Sequence, residues 1–247
     1  MRAVVLVSRK GKNDPMKNQD NKVSPPKTRI NKIMLGSLER PALHWMAKHL
    51  PSWVLPDHLS LVAIIAAVVI FISYWLTRFS LDWLWLVNFG LIVHWAGDSL
   101  DGTLARVRHI ERERYGLFVD HNCDTIAMFL ICVGMGVSPL MDLRISLLVL
   151  IAYYSMSILV YLVSMASGVF KISFGGLGPT EVRLAIIIAN IIIWCLKNPV
   201  VGIGKINLTI FSWIGLIAAI ILLVTYLIYF EIERRKLARL DPMPKRK

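Results

Sequence analysis

Acidic residues are scarce: 16 Asp and Glu stand against 28 Lys and Arg, and charged residues of both signs make up only 18% of the 247 residues. A soluble domain carries about 25% charged residues. With 56% hydrophobic residues and a net charge of +12, the shortage excludes a wholly disordered chain and argues against a nucleic-acid-binding module. Cysteine is nearly absent. Cys123, Cys132 and Cys195 have no metal-like spacing and read as small packing residues.

What is present is a set of long uncharged runs. They cover 20 residues between Asp57 and Arg78, 26 between Arg144 and Lys171, and 25 between Lys205 and Glu231. Shorter runs lie between Asp82 and Asp98 (15), between Asp124 and Asp142 (17), and from Leu184 to Leu196 (13). The last needs its flanks, Thr180 to about Val200, to cross a hydrocarbon core of about 30 Å. Runs rich in Ile, Leu and Val without barrel-type alternation favour helices. The reading is an all-α integral membrane protein with six transmembrane helices.

With the N-terminus inside, 24 of the 28 basic residues fall on the inner side, leaving Arg78, Arg144, Lys197 and Lys205 outside. That asymmetry predicts six spans with both termini cytoplasmic. Residues 1–28, with five lysines and three prolines, read as a disordered basic arm, and Ala3–Val7 is too short for a cleaved signal peptide. Residues 29–56 read as an interfacial amphipathic helix, with a polar side of Lys32, Glu39, Arg40 and Lys48 and a bend at Pro41. Residues 57–232 read as the six-helix transmembrane domain and 233–247 as a basic cytoplasmic tail.

The few acids sit where a membrane protein should avoid them. Asp98 and Asp101 are spaced i, i+3 near the inner end of the second span; Asp120 and Asp124 are spaced i, i+4 near the inner start of the third. Each pair shares one helix face, and an antiparallel return sets the two faces opposite each other. Four such carboxylates repel unless cations neutralise them. All-oxygen ligation suits Mg²⁺, Mn²⁺ or Ca²⁺.

Asp98-Ser-Leu-Asp101-Gly102-Thr-Leu-Ala105-Arg106 is followed by nine residues, Gly116, three residues, Asp120, three residues and Asp124. This resembles the signature of the CDP-alcohol phosphotransferase (CDP-alcohol phosphatidyltransferase) family at every fixed position, and the six-span layout extends the resemblance over about residues 30–230. Pro56-Asp57-His58-Leu59-Ser60 resembles the family's entry to the first span, with Asp57 for Asn and Ser60 for Thr. The resemblance implies a phospholipid-biosynthesis enzyme that transfers a substituted phosphoryl group from a CDP-alcohol to a second alcohol, releasing CMP. It implies two Mg²⁺ or Mn²⁺ ions on Asp98, Asp101, Asp120 and Asp124, with Asp124 as general base. Gly102, Ala105, Arg106 and Gly116 would face the nucleotide or its phosphates; the alternatives are tight helix packing for Gly102 and Ala105, packing on equal terms for Gly116, and positive-inside anchoring for Arg106. A homodimer embedded among membrane lipids is also implied.

Two local features lean toward a CDP-choline- or CDP-ethanolamine-like donor with diacylglycerol as acceptor. Asp120-His121-Asn122-Cys123-Asp124 and Gly178-Pro179-Thr180-Glu181 resemble elements of that branch. His121, Glu181 and Arg183 are therefore candidate acceptor or head-group contacts. The alternatives are a helix-end role for His121, a first-turn acid role for Glu181, and an Arg183–Glu181 pair. If Arg183 instead holds a phosphate, the acceptor is a phosphorylated polyol and CDP-diacylglycerol the donor. A cation transporter would explain buried carboxylates, but not Gly102, Ala105, Arg106 and Gly116 at fixed spacing.

Overall fold

The computed structural model describes residues 29–30, 36–167, 170–171 and 178–243; the arm over 1–28 lies outside them. Seven helices appear among the described residues: α1 (Gly36–His49), α2 (Pro56–Leu76), α3 (Trp83–Arg108), α4 (Glu113–Val137), α5 (Leu143–Ser167), α6 (Pro179–Leu196) and α7 (Ile210–Leu240). Five of them, α2, α4, α5, α6 and α7, are long and apolar enough to cross a membrane. The chain is an all-α membrane protein. The sixth expected span, α3, has 26 residues, about 39 Å at 1.5 Å per residue. Its C-terminal half carries Asp98, Asp101, Arg106 and Arg108, which dilute its apolar character.

Local sequence explains where the helices begin and end. Pro56 opens α2 at a position whose N–H would have no partner, and the Leu55 N–H donates to His58 Nδ1 (3.3 Å). Pro179 opens α6 in the same way. At the end of α3, His109 adopts the left-handed conformation (φ 55°). The Ile110 N–H then reaches the Ala105 carbonyl (3.0 Å) and the His109 N–H that of Arg106 (3.3 Å), closing the helix with a Schellman turn. Three residues later α4 starts back.

Close packing of α2 on α3 depends on missing side chains. A Cβ at Gly97 would lie 2.7 Å from the Leu59 carbonyl and 3.0 Å from the Ala63 nitrogen. Small residues let helix backbones approach in this way in membrane proteins. Deeper in the bundle, Tyr74 donates to Asn190 Oδ1 (3.0 Å) and Asn190 Nδ2 donates to Asn88 Oδ1 (2.8 Å). This buried chain ties α2, α6 and α3, and each link satisfies a polar group that hydrocarbon would penalise.

The main core, including Ile70, Tyr74, Leu91, Ile131, Ile193 and Phe211, fills the bundle away from α1. A second cluster joins Leu43 and Ala47 of α1 to Val54, Leu59, Leu100 and Leu104. Arg108 fastens that end further. Its guanidinium donates to the carbonyls of Leu50 (2.9 Å), Pro51 (2.8 Å), Ser52 (3.3 Å) and Val54 (2.5 Å).

The structure corrects two expectations. The first helix spans Gly36–His49 rather than 29–56, and Arg29–Ile30 instead form a short parallel pairing with Phe170–Lys171. A hairpin, Val200–Ile203 with Ile206–Thr209, stands where no strand was expected, turning at Gly204 with φ +63°. Helix α7 continues without a break to Leu240.

Candidate metal and nucleotide site

Both α3 and α4 pack on α2, and the turn between them, after Arg108 and before Glu113, brings their acidic stretches together. One carboxylate oxygen each from Asp98, Asp120 and Asp124 lies within 4.8 Å of the others. Like charges this close repel, and a hard cation with oxygen ligands is the natural neutraliser. Exposure grades across the group: the side chains of Asp98, Asp124 and Asp120 are 16%, 26% and 42% exposed. The site therefore opens at Asp120 and closes at Asp98.

Asp101 stands outside this close group. Its Oδ2 accepts from Ser60 of α2 (2.6 Å), and its Oδ1 accepts from the Gly102 N–H (2.5 Å). The Pro56–Ser60 entry segment thus bears directly on the acidic motif, and Ser60 fills a donor role compatible with the Thr it replaces. Asp57, also in that segment, turns elsewhere. It pairs with Arg112 (3.5 Å) and accepts from Tyr115 (3.3 Å), while the Arg112 guanidinium stacks on the Tyr115 ring at 3.5 Å.

Arg183 of α6 closes the inner wall. Its Nη2 lies 2.6 Å from Asp98 Oδ2 and 3.9 Å from Asp124 Oδ1. The Arg183–Glu181 pairing considered from the sequence is replaced by these contacts. Glu181 folds back to accept the Gly178 N–H (2.9 Å), the helix-start role for a first-turn acid. Counted as ionised groups, Asp98, Asp120, Asp124 and Arg183 carry a net charge of about −2, which one divalent cation balances.

The remaining candidates divide. Gly116 has space around it: a Cβ there would meet nothing within 4 Å among the described residues. At Gly102 a Cβ would meet only the flexible Arg106 guanidinium, at 3.3 Å. Packing among the described residues therefore does not require glycine at either position. Both fit a surface left open for a ligand. Ala105 is half-buried in the next turn of α3. Arg106 is exposed and donates to Thr103 Oγ1 (3.1 Å). His121 places Nδ1 3.2 Å from Asp120 Oδ2 and stacks on Tyr161 of α5, with centroids 4.7 Å apart.

His94 of α3 is buried, and its Nδ1 has no hydrogen-bond partner among the described residues. It lines a cavity of about 20 Å³ with Asp124, Tyr153 and Arg183, room for about one water molecule. A larger groove of about 620 Å³, lined by Phe71, Ile72, Trp75, Arg78 and Val137, is apolar apart from Arg78 and holds no cluster of ligating side chains. Reading the sequence alone missed Ser99, Thr180, Tyr153 and Tyr161. Ser99 and Thr180 stand at variable positions inside the quoted motifs, Tyr153 and Tyr161 in none, and only the packing of α5 and α6 brings the last three to the site.

No curated protein matches the chain. The family model for CDP-alcohol phosphatidyltransferase matches residues 53–228, a stretch that contains all four aspartates, Ser60 and Arg183. The chain belongs to the CDP-alcohol phosphatidyltransferase family.

Proposed function

We propose that this protein transfers a substituted phosphoryl group from a CDP-linked donor to an acceptor alcohol in the membrane, releasing CMP. The observation that carries the reading is the group of three carboxylate oxygens within 4.8 Å, contributed by motif aspartates of α3 and α4. Asp98, Asp120 and Asp124 would hold Mg²⁺ or Mn²⁺. Asp101, whose hydrogen bonds leave carboxylate lone pairs, would complete a set sized for two ions. A divalent cation bound there supplies charge neutralisation of the diphosphate and a better leaving group.

The chain's own residues do the rest. Asp124 takes the acceptor hydroxyl proton. The acceptor oxygen bonds to the phosphorus that bears the head group, and the bridging P–O bond breaks with CMP taking the electron pair. Arg183 holds Asp98 and faces Asp124, while Ser60 fixes the Asp101 carboxylate. Gly102, Ala105 and Gly116 leave a surface for the nucleotide, and Arg106 lies within helical reach of it as a phosphate partner. His121 beside Asp120 supports a head-group contact.

The proposal includes six spans with α3 as the second, α1 at the interface, both termini and the site on the cytoplasmic side, and a homodimer. Arg183 is engaged by Asp98, which weakens its use as an anchor for an acceptor phosphate. That favours diacylglycerol as acceptor and a CDP-choline- or CDP-ethanolamine-like donor over CDP-diacylglycerol with a polar alcohol.

The test is CMP release by purified protein in lipid vesicles. CDP-choline and CDP-ethanolamine with diacylglycerol are compared with CDP-diacylglycerol plus serine, glycerol phosphate or inositol phosphate. Turnover is expected with the first pair, lost in excess chelator and lost in Asp124→Asn although Mn²⁺ still binds. Undiminished turnover in chelator would overturn the metal-centred reading. Full activity of Asp124→Asn would remove the base assignment.

A further inference from the structure

Glu39 lies in the first turn of α1, ahead of the family-matched residues 53–228. Its carboxylate nevertheless gathers three side chains from two other helices. Trp95 Nε1 and Ser99 Oγ of α3 donate to Oε1 (2.9 and 3.1 Å), and Thr180 Oγ1 of α6 lies 3.3 and 3.2 Å from the two oxygens. A carboxylate is an acceptor with capacity for several donors, so one side chain can bridge three helices.

The bridged positions are not arbitrary. Ser99 adjoins Asp98, Trp95 is three residues before it, and Thr180 is three residues before Arg183. Residues three apart are neighbours on a helix face. The Glu39 node therefore joins α3 to α6 one turn from the Asp98–Arg183 ion pair, which joins the same two helices directly. Leu43 and Ala47, one and two turns further along α1, are buried in the cluster with Leu100 and Leu104, so the carboxylate is delivered from a docked helix.

We infer that Glu39 is a positioning residue: by bridging Trp95 and Ser99 to Thr180, it sets the seat of the α6 entry on α3 and thus the approach of Arg183 to Asp98 and Asp124. This makes α1 part of the functional site and not only a membrane-surface segment. The consequence for turnover rests on the function proposed above. The tether itself does not.

Three variants of the full chain in lipid vesicles test it by hydrogen exchange of the first hydrogen-bonded amides of α6, residues 182–186, and by separate kcat and KM. Glu39→Ala should raise exchange in that turn about tenfold. It should also lower kcat about ten- to a hundredfold, the scale of a small misplacement of reacting groups, with donor KM within about threefold. Glu39→Gln keeps a carbonyl for Trp95 and Ser99 and can donate to the Thr180 hydroxyl, so it should restore exchange and recover kcat. Thr180→Val, which removes only the α6 arm, should reproduce the exchange change if Glu39→Ala does not fold. Unchanged exchange in either Glu39→Ala or Thr180→Val overturns the tether, as does a Glu39→Gln protein as impaired as Glu39→Ala. If the wild type releases no CMP from any donor, the proposed function fails while the exchange result still decides the tether.

Discussion

Arg183 and Asp98 form a 2.6 Å ion pair whose side chains are only 10% and 16% exposed. The cation that faces the acidic group comes from α6, 85 residues along the chain, and it sits on the most enclosed of the three carboxylates. A guanidinium here does part of the neutralising that a metal ion would otherwise have to do alone.

That arrangement predicts opposite effects of Arg183→Ala on stability and on metal binding. Removing one partner of an enclosed pair costs about 3–5 kcal/mol because the other charge is left uncompensated. Without its competitor, Asp98 should favour a divalent cation more strongly. Thermal unfolding in detergent should start lower for the variant, and added Mn²⁺ should raise its midpoint by more than it raises the wild type's. An equal Mn²⁺ shift in both proteins would show that Arg183 does not compete at the site.

Ser60 makes a second prediction. Its hydroxyl bonds Asp101 Oδ2 at 2.6 Å, so Ser60→Ala removes a donor to a charged acceptor, worth about 1.5–3 kcal/mol. Turnover at fixed Mn²⁺ should fall about tenfold or more on that scale, and Ser60→Thr should restore it. Restoration is the informative arm, because a loss through packing alone would not be recovered by a bulkier side chain.

Two glycines predict contrasting outcomes for the same substitution. Gly97→Ala places a methyl 2.7 Å from the Leu59 carbonyl. The backbone of α2 must then move, at a cost of about 1–3 kcal/mol or more for overpacking. Gly116→Ala meets nothing within 4 Å among the described residues, and alanine is the better helix former by about 1 kcal/mol, so its thermal midpoint should equal or exceed wild type while donor KM rises. A wild-type KM in Gly116→Ala would take the nucleotide away from that surface.

Much of this architecture was legible in the chain because apolar runs and helical spacing are local signals. The uncharged run after Asp57 became α2, and the Asp98/Asp101 and Asp120/Asp124 spacings placed each pair on one face as expected. Interactions between distant segments were not legible. Nothing near Arg183 distinguishes Asp98 from the closer Glu181, and the outcome depends on how α6 seats against α3. Asp101 shares the periodicity of Asp98, yet Ser60 binds it because Gly97 lets α2 come within reach. The hairpin at Val200–Thr209 was hidden for a different reason: its apolar residues extend the pattern of the spans on either side.

Arg108 has a consequence beyond holding a turn. Asp98 lies ten residues before it on the same unbroken helix, about 15 Å along the axis. The guanidinium grips the segment that links α1 to α2, so this length of α3 is measured from a fixed mark. In the proposed orientation that mark rests at the bilayer surface. Arg108 thereby couples the acidic group to the α1–α2 link, so that a shift of one along the helix axis carries the other with it.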